Sequence, residues 1–141
     1  MKLPLREFAD VLEGLQGPAS HPSGSEQRSA ARIGVTTRVE LYVNNGGRWQ
    51  TYVALTRDIS ISGLGLLQSL ALEEGREVVI RLPRKRQPLY VAARVTHCRT
   101  LADGILAVGL EYSRRLTDAE INEMANQASA ELSRLQHAIL D

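Results

Sequence analysis

At 141 residues, with 43% hydrophobic and 23% charged residues, the chain has the composition of one globular domain with room for a terminal extension, not of a disordered segment. No apolar run approaches the roughly 20 residues of a bilayer-spanning helix, and Glu7, Asp10 and Glu13 interrupt the stretch a signal peptide would need, so a cytoplasmic protein without membrane insertion is expected. The single cysteine, Cys98, excludes an internal disulfide and a cysteine-only metal cage. The net charge of +1 hides an asymmetry: residues 1–27 carry two basic and four acidic groups, residues 28–100 twelve and five, residues 101–141 three and seven. Fifteen of the seventeen basic residues are arginines.

Leu5, Phe8, Leu12 and Leu15 recur at helical spacing, which predicts a short amphipathic helix over 5–16, ended by Gly14 and Gly17-Pro18. Residues 17–31, GPASHPSGSEQRSAA, hold no apolar periodicity and read as a flexible arm. From Ile33 the period becomes two: Val35, Thr37, Val39, Leu41 and Val43 alternate with Gly34, Thr36, Arg38, Glu40 and Tyr42, the pattern of a half-buried strand. Asn44-Asn45-Gly46-Gly47 reads as a hairpin turn and 49–58 as the returning strand. After a turn at 59–63, strands are predicted at 64–67, 77–82 (stopped by Pro83), 89–100 and 105–112, with Val91, Ala93, Val95 and His97 sharing one face. The basic loop 84–87 reads as a solvated hairpin tip. Thr117-Asp118-Ala119-Glu120 is a capping box opening a C-terminal helix, whose apolar stripe runs Ile121, Met124, Ala125, Ala128, Leu132, Leu135, Ile139.

About six strands with short turns cannot cover both faces of an open sheet, so a mainly β fold is expected: a six-stranded antiparallel barrel with a C-terminal helix and a flexible N-terminal arm. The boundaries are 1–27 for the short helix and arm, 28–116 for the barrel and 117–141 for the helix. No catalytic constellation is present. His21, His97 and His137 stand in unrelated contexts without metal-ligand spacing, and Cys98 follows His97 on a strand, where neighbours point to opposite faces. No phosphate loop occurs. Neither an enzyme, a metal site nor a cofactor is expected.

Two local features carry chemistry. Arg28-Ser29-Ala30-Ala31-Arg32 places two guanidinium forks where the arm meets the first strand. Asp58-Ile59-Ser60-Ile61-Ser62-Gly63 offers a carboxylate, hydroxyls and backbone amides at a turn between strands. Arginine pairs bidentately with phosphate and with guanine O6 and N7, which lysine cannot do. A carboxylate accepts from guanine N1–H and N2–H, donors that adenine lacks. The set suits a ligand with phosphates and purine edges.

In order and spacing these features resemble the PilZ family, bacterial receptor domains for cyclic di-GMP. The resemblance covers residues 28–124: Arg28 and Arg32, then Asp58, Ser60 and Gly63 followed by Leu64-Gly65-Leu66, the Glu74-Gly75 turn before Val78-Val79-Ile80, the Ala93-Arg94-Val95 strand, and Gly109-Leu110-Glu111-Tyr112 before the helix. It implies a six-stranded barrel with a C-terminal helix, and cyclic di-GMP as ligand. It implies that Arg28 and Arg32 bind phosphate and the guanine Hoogsteen edge, that Asp58 and Ser60 bind the other face with Asp58 on a guanine, and that Gly63 leaves room for close approach. The arm would then fold over the ligand and change the surface seen by a downstream protein partner. Gln27 stands where many members carry a further arginine, so one or two ligand molecules per site stays open. His97 stands where related chains often have an aromatic residue, and is read as a solvent-edge histidine. The rival readings are a PilZ-like adaptor that ignores the nucleotide and a small-barrel nucleic-acid binder. The latter needs aromatic platforms, and aromatics here are 4% and scattered, so no DNA or RNA partner is expected.

Overall fold

Period-two burial organises the middle of the chain. The computed structural model describes residues 1–16 and 32–127. The helix α1 (Leu5–Gln16) is followed by seven antiparallel strands: β1 (Ile33–Gly34), β2 (Arg38–Asn45), β3 (Arg48–Ile59), β4 (Gly63–Gln68), β5 (Glu77–Leu82), β6 (Leu89–Ala102) and β7 (Ile105–Arg115). Six of them close into a barrel in the order β3-β2-β5-β6-β7-β4, with β4 pairing back onto β3. The expected six-stranded antiparallel barrel is therefore the observed one, and closure pairs both sides of every barrel strand. Leu41, Leu64, Leu66, Val78, Ile80 and Val91 line its interior at 0% exposure. Gly46 and Gly47, at φ 63° and 90°, make the β2–β3 turn, and the Asn44 Oδ1 accepts the Gly47 amide at 2.8 Å. The arm at 17–31, Arg28 within it, and the helical stripe from Ala128 onward lie outside the described residues.

The strand read as continuous from Ile33 is interrupted at 35–37, and a side chain carries the pairing across the gap. Thr56, fully buried, donates its hydroxyl to the Val35 carbonyl at 2.6 Å and accepts the Thr37 amide at 2.9 Å. Its own amide donates to the Thr37 carbonyl at 2.8 Å. The threonine hydroxyl stands in for a missing ladder bond and satisfies the Val35 carbonyl and the Thr37 amide.

A second helix, α2, begins at 118 and is described to 127. Its capping box forms as predicted: the Thr117 amide donates to the Glu120 carboxylate at 3.0 Å, and the Glu120 amide donates to the Thr117 Oγ1 at 3.2 Å. Met124, from the predicted stripe, is 2% exposed. The Arg114 guanidinium, 2.9 Å away, holds the Glu120 carboxyl down to about 2 from its ordinary 4.5, with help from Thr117. A depressed carboxyl contributes its stabilisation above its unfolded value and loses it as pH falls through the folded one. The Glu120 carboxyl is thus expected to titrate near pH 2 by NMR, with the α2 cap intact at pH 4 and lost below about 2.

The helix α1 closes one end of the barrel. Leu3, Val11, Leu12 and Leu15 belong to the same core as the strands and are 0 to 7% exposed. Gly14 does not end the helix: it sits inside it, where a Cβ would fall 2.5 Å from the Pro83 carbonyl oxygen. Nor is the loop 84–87 simply a solvated tip. Arg84 donates to Glu7 at 3.0 Å and Lys85 pairs with Glu13 at 3.6 Å, while Arg115 also donates to Glu7. The acidic face of α1 thus meets the arginines of the strand ends, which accounts for part of the charge asymmetry along the chain.

Candidate nucleotide-binding site

The carboxylate of Asp58 faces outward because of one extra residue. Thr56 pairs with Leu66 and points inward; strict alternation would turn Arg57 outward and Asp58 into the core. The β3–β4 register slips between Thr56 and Asp58, so Asp58, not Arg57, pairs with Gly65. Such a bulge re-aims a side chain, and here it keeps a carboxylate out of an apolar interior where ionisation would be costly. Ile59 then returns to the core at 0% exposure.

Outside the barrel, Asp58 meets Arg32. The guanidinium Nη1 donates to the Asp58 Oδ1 at 2.9 Å, and the two side chains are 56% and 26% exposed. Residues 26 positions apart are joined because β1 pairs with the end of β3, Gly34 opposite Asp58. The bond is charge-assisted yet open to solvent, so it holds position without adding much stability.

The floor beside this pair is made of glycines. Asp58 pairs with Gly65, Gly65 with Gly109 and Gly109 with His97, a row crossing β3, β4, β7 and β6. Directly opposed residues share a face. A Cβ at Gly65 would lie 3.0 Å from the Asp58 Oδ1, and one at Gly109 would lie 2.2 Å from the His97 Cε1. The carboxylate therefore lies over Gly65 and the imidazole over Gly109, at opposite ends of a strip of barrel wall floored by the two glycines. Three strand spacings, roughly 14 Å, separate their backbones.

His97 is exposed, as its reading as a solvent-edge histidine expects, but it does not share the face of Val91, Ala93 and Val95, all buried, that plain alternation gives it. The β6–β7 register slips between Val95 and His97, which makes Thr96 the extra residue and reverses the alternation. Cys98 consequently packs against the core. The Thr96 hydroxyl lies 3.3 Å from the His97 Nδ1 and steadies the ring. The signal in the sequence is two glycines, Gly65 and Gly109, standing as blanks in otherwise apolar strands, and only the register sets them beside His97.

Ser60 and Gly63 shape the turn. Ser60 is 4% exposed. Its amide donates to the Gly63 carbonyl at 2.9 Å, and its Oγ accepts the Ser62 amide at 3.2 Å. Gly63 does permit a close approach, but to β7: a Cβ there would stand 2.0 Å from the Leu110 carbonyl oxygen. Of the five residues singled out from sequence, Arg32 and Asp58 touch, Ser60 and Gly63 belong to the turn beyond them, and Arg28 is outside the described residues.

The model of the PilZ domain family matches residues 26–129. The chain belongs to the PilZ domain family. A solved structure similar to this PilZ domain is that of the Bacillus subtilis inhibitor of motility, MotI/DgrA, at 17% identity and a TM-score of 0.46, covering 76% of this chain and 52% of that one. This PilZ domain thus spans about half the length of that neighbour. Among curated proteins none matches it. Among the described residues, no group of three or more His, Cys, Asp or Glu is placed to hold a metal ion, and no helix is long and apolar enough to cross a membrane.

Proposed function

We propose that this PilZ domain is a receptor for cyclic di-GMP that uses no catalysis, and that ligand binding alters the surface presented to a downstream protein. The observation that carries the reading is the Arg32–Asp58 pair set at one end of the glycine-floored strip. A guanine presents N1–H and N2–H donors to the Asp58 carboxylate, while its O6 and N7 edge and the phosphates take guanidinium groups. Arg32 occupies the Asp58 carboxylate, so a guanine taken there requires Arg32 to re-aim from Asp58 to the nucleotide. Arg28, four residues earlier in the sequence, is assigned the second guanidinium. Ser60 and Gly63 serve by fixing the turn behind Asp58. His97, exposed at the far end of the strip, offers a ring on which a second base of the dinucleotide stacks.

Isothermal titration of the full chain with cyclic di-GMP, beside cyclic di-AMP, tests this. Heat and a thermal shift are expected at micromolar cyclic di-GMP and not with the adenine analogue, whose bases lack the donors for Asp58. Absence of both signals with cyclic di-GMP would favour the reading of a PilZ adaptor that engages only protein.

A further inference from the structure

The segment before α1 and the C-terminal end of that helix are fastened to the two flanks of Asp58. After Asp58, the turn exposes successive carbonyls at Ile61 and Ser62. The Leu3 amide donates to the first at 2.7 Å and the Tyr112 amide to the second at 2.8 Å. Leu3 is fixed in turn, being 2% exposed in the barrel core just ahead of α1. Before Asp58, the Thr37 hydroxyl donates to the Leu15 carbonyl at the far end of α1, at 2.6 Å. Thr37 is also the backbone partner of Thr56, which precedes the bulge. The helix itself is held by Glu7, whose side chain is only 12% exposed between Arg84 and Arg115.

We infer that α1 is a positioning clamp for the 58–63 turn, so that docking of this helix and nucleotide binding are coupled. The inference rests on the cyclic di-GMP reading for its ligand, while the mechanical coupling stands on the hydrogen bonds alone. A clamp that holds the turn in its binding geometry raises affinity, and by linkage the ligand must strengthen docking of α1 by the same factor. Anything that takes α1 from the barrel end therefore weakens the nucleotide site without touching it.

The test uses the full chain and two variants that unseat α1 from different ends. Glu7→Gln removes the charge between two arginines. Gly14→Ala drives a methyl against the Pro83 carbonyl. Circular dichroism first confirms the barrel in each variant, and the second variant serves if the first does not fold. Without ligand, amide hydrogen exchange should rise in residues 5–16 and, with it, at Ser60 and Ser62. Affinity for cyclic di-GMP should fall about tenfold, an ordinary size for coupling between sites, and ligand should slow exchange in α1 of the unaltered chain. Faster exchange in α1 with unchanged protection at Ser60 and Ser62 would overturn the clamp, as would a docked α1 in both variants. Failure of the unaltered chain to bind cyclic di-GMP would overturn the ligand assignment instead, and the ligand-free exchange would still decide the clamp.

Discussion

Asp58→Ala is expected to lower the affinity for cyclic di-GMP by about a hundredfold, because two charge-assisted hydrogen bonds at roughly 1.5 kcal/mol each are lost together. The same change should barely move the melting temperature. The Asp58–Arg32 pair is open to solvent at 26% and 56% side-chain exposure, and exposed ion pairs contribute about 0–1 kcal/mol. The separation of the two effects is the point of the experiment. A carboxylate kept outward by a bulge, at the cost of regular pairing, and resting on a glycine makes little sense as a stabilising device; its value lies in what it can accept. Asp58→Asn sharpens the result. It preserves size and one acceptor oxygen, but turns an amide N–H toward the guanine donors, so it should bind nearly as poorly as the alanine variant. Titration and thermal melting of both variants read the outcome. Binding unchanged in Asp58→Ala would remove the central contact of the proposed site.

The barrel was legible because its signal is local. Alternation in β2, the Asn-Gly turn, Pro83 after β5 and the Thr117–Glu120 box each name an element without reference to the rest of the fold. What could not be read is where alternation is broken on purpose. A bulge costs one residue and leaves no mark in composition, yet the slip at Arg57 brings Asp58 out of the barrel and the slip at Thr96 does the same for His97. Pairing across strands was equally hidden. Gly65 and Gly109 look like weak points in two apolar strands, and only the register that sets them side by side explains both. Periodicity predicted α1 correctly, but an apolar stripe does not say what it covers. The partner charges were present in the sequence, Glu7 and Glu13 against Arg84 and Lys85, some seventy positions apart, and the loop that holds the latter was read as solvated.

Gly63 was read from sequence as a place where a ligand's approach forbids a side chain, and the fold gives a different reason that makes its own prediction. A Cβ at Gly63 would lie 2.0 Å from the Leu110 carbonyl oxygen and 3.2 Å from the Glu111 Cα, all backbone. No rotamer relieves such an overlap. Either β4 moves away from β7 at the Gly63–Glu111 pair, or the turn that carries Ser60 is pushed out of register. Overpacking of this kind costs about 1–3 kcal/mol or more. Gly63→Ala is therefore expected to lower the melting temperature of the ligand-free protein by on the order of 10 °C, taking the upper part of that range and the usual conversion for a chain of this size. Gly34→Ala is the control: it pairs with Asp58, but a Cβ there meets nothing within 4 Å, so stability should stay the same. If the glycine at 63 served only to admit ligand, the ligand-free melting temperature of Gly63→Ala would match that of the control, and the defect would appear in the titration alone. A defect already present without ligand places the requirement in the seam between β4 and β7, from which any loss of nucleotide affinity follows by displacement of the turn behind Asp58.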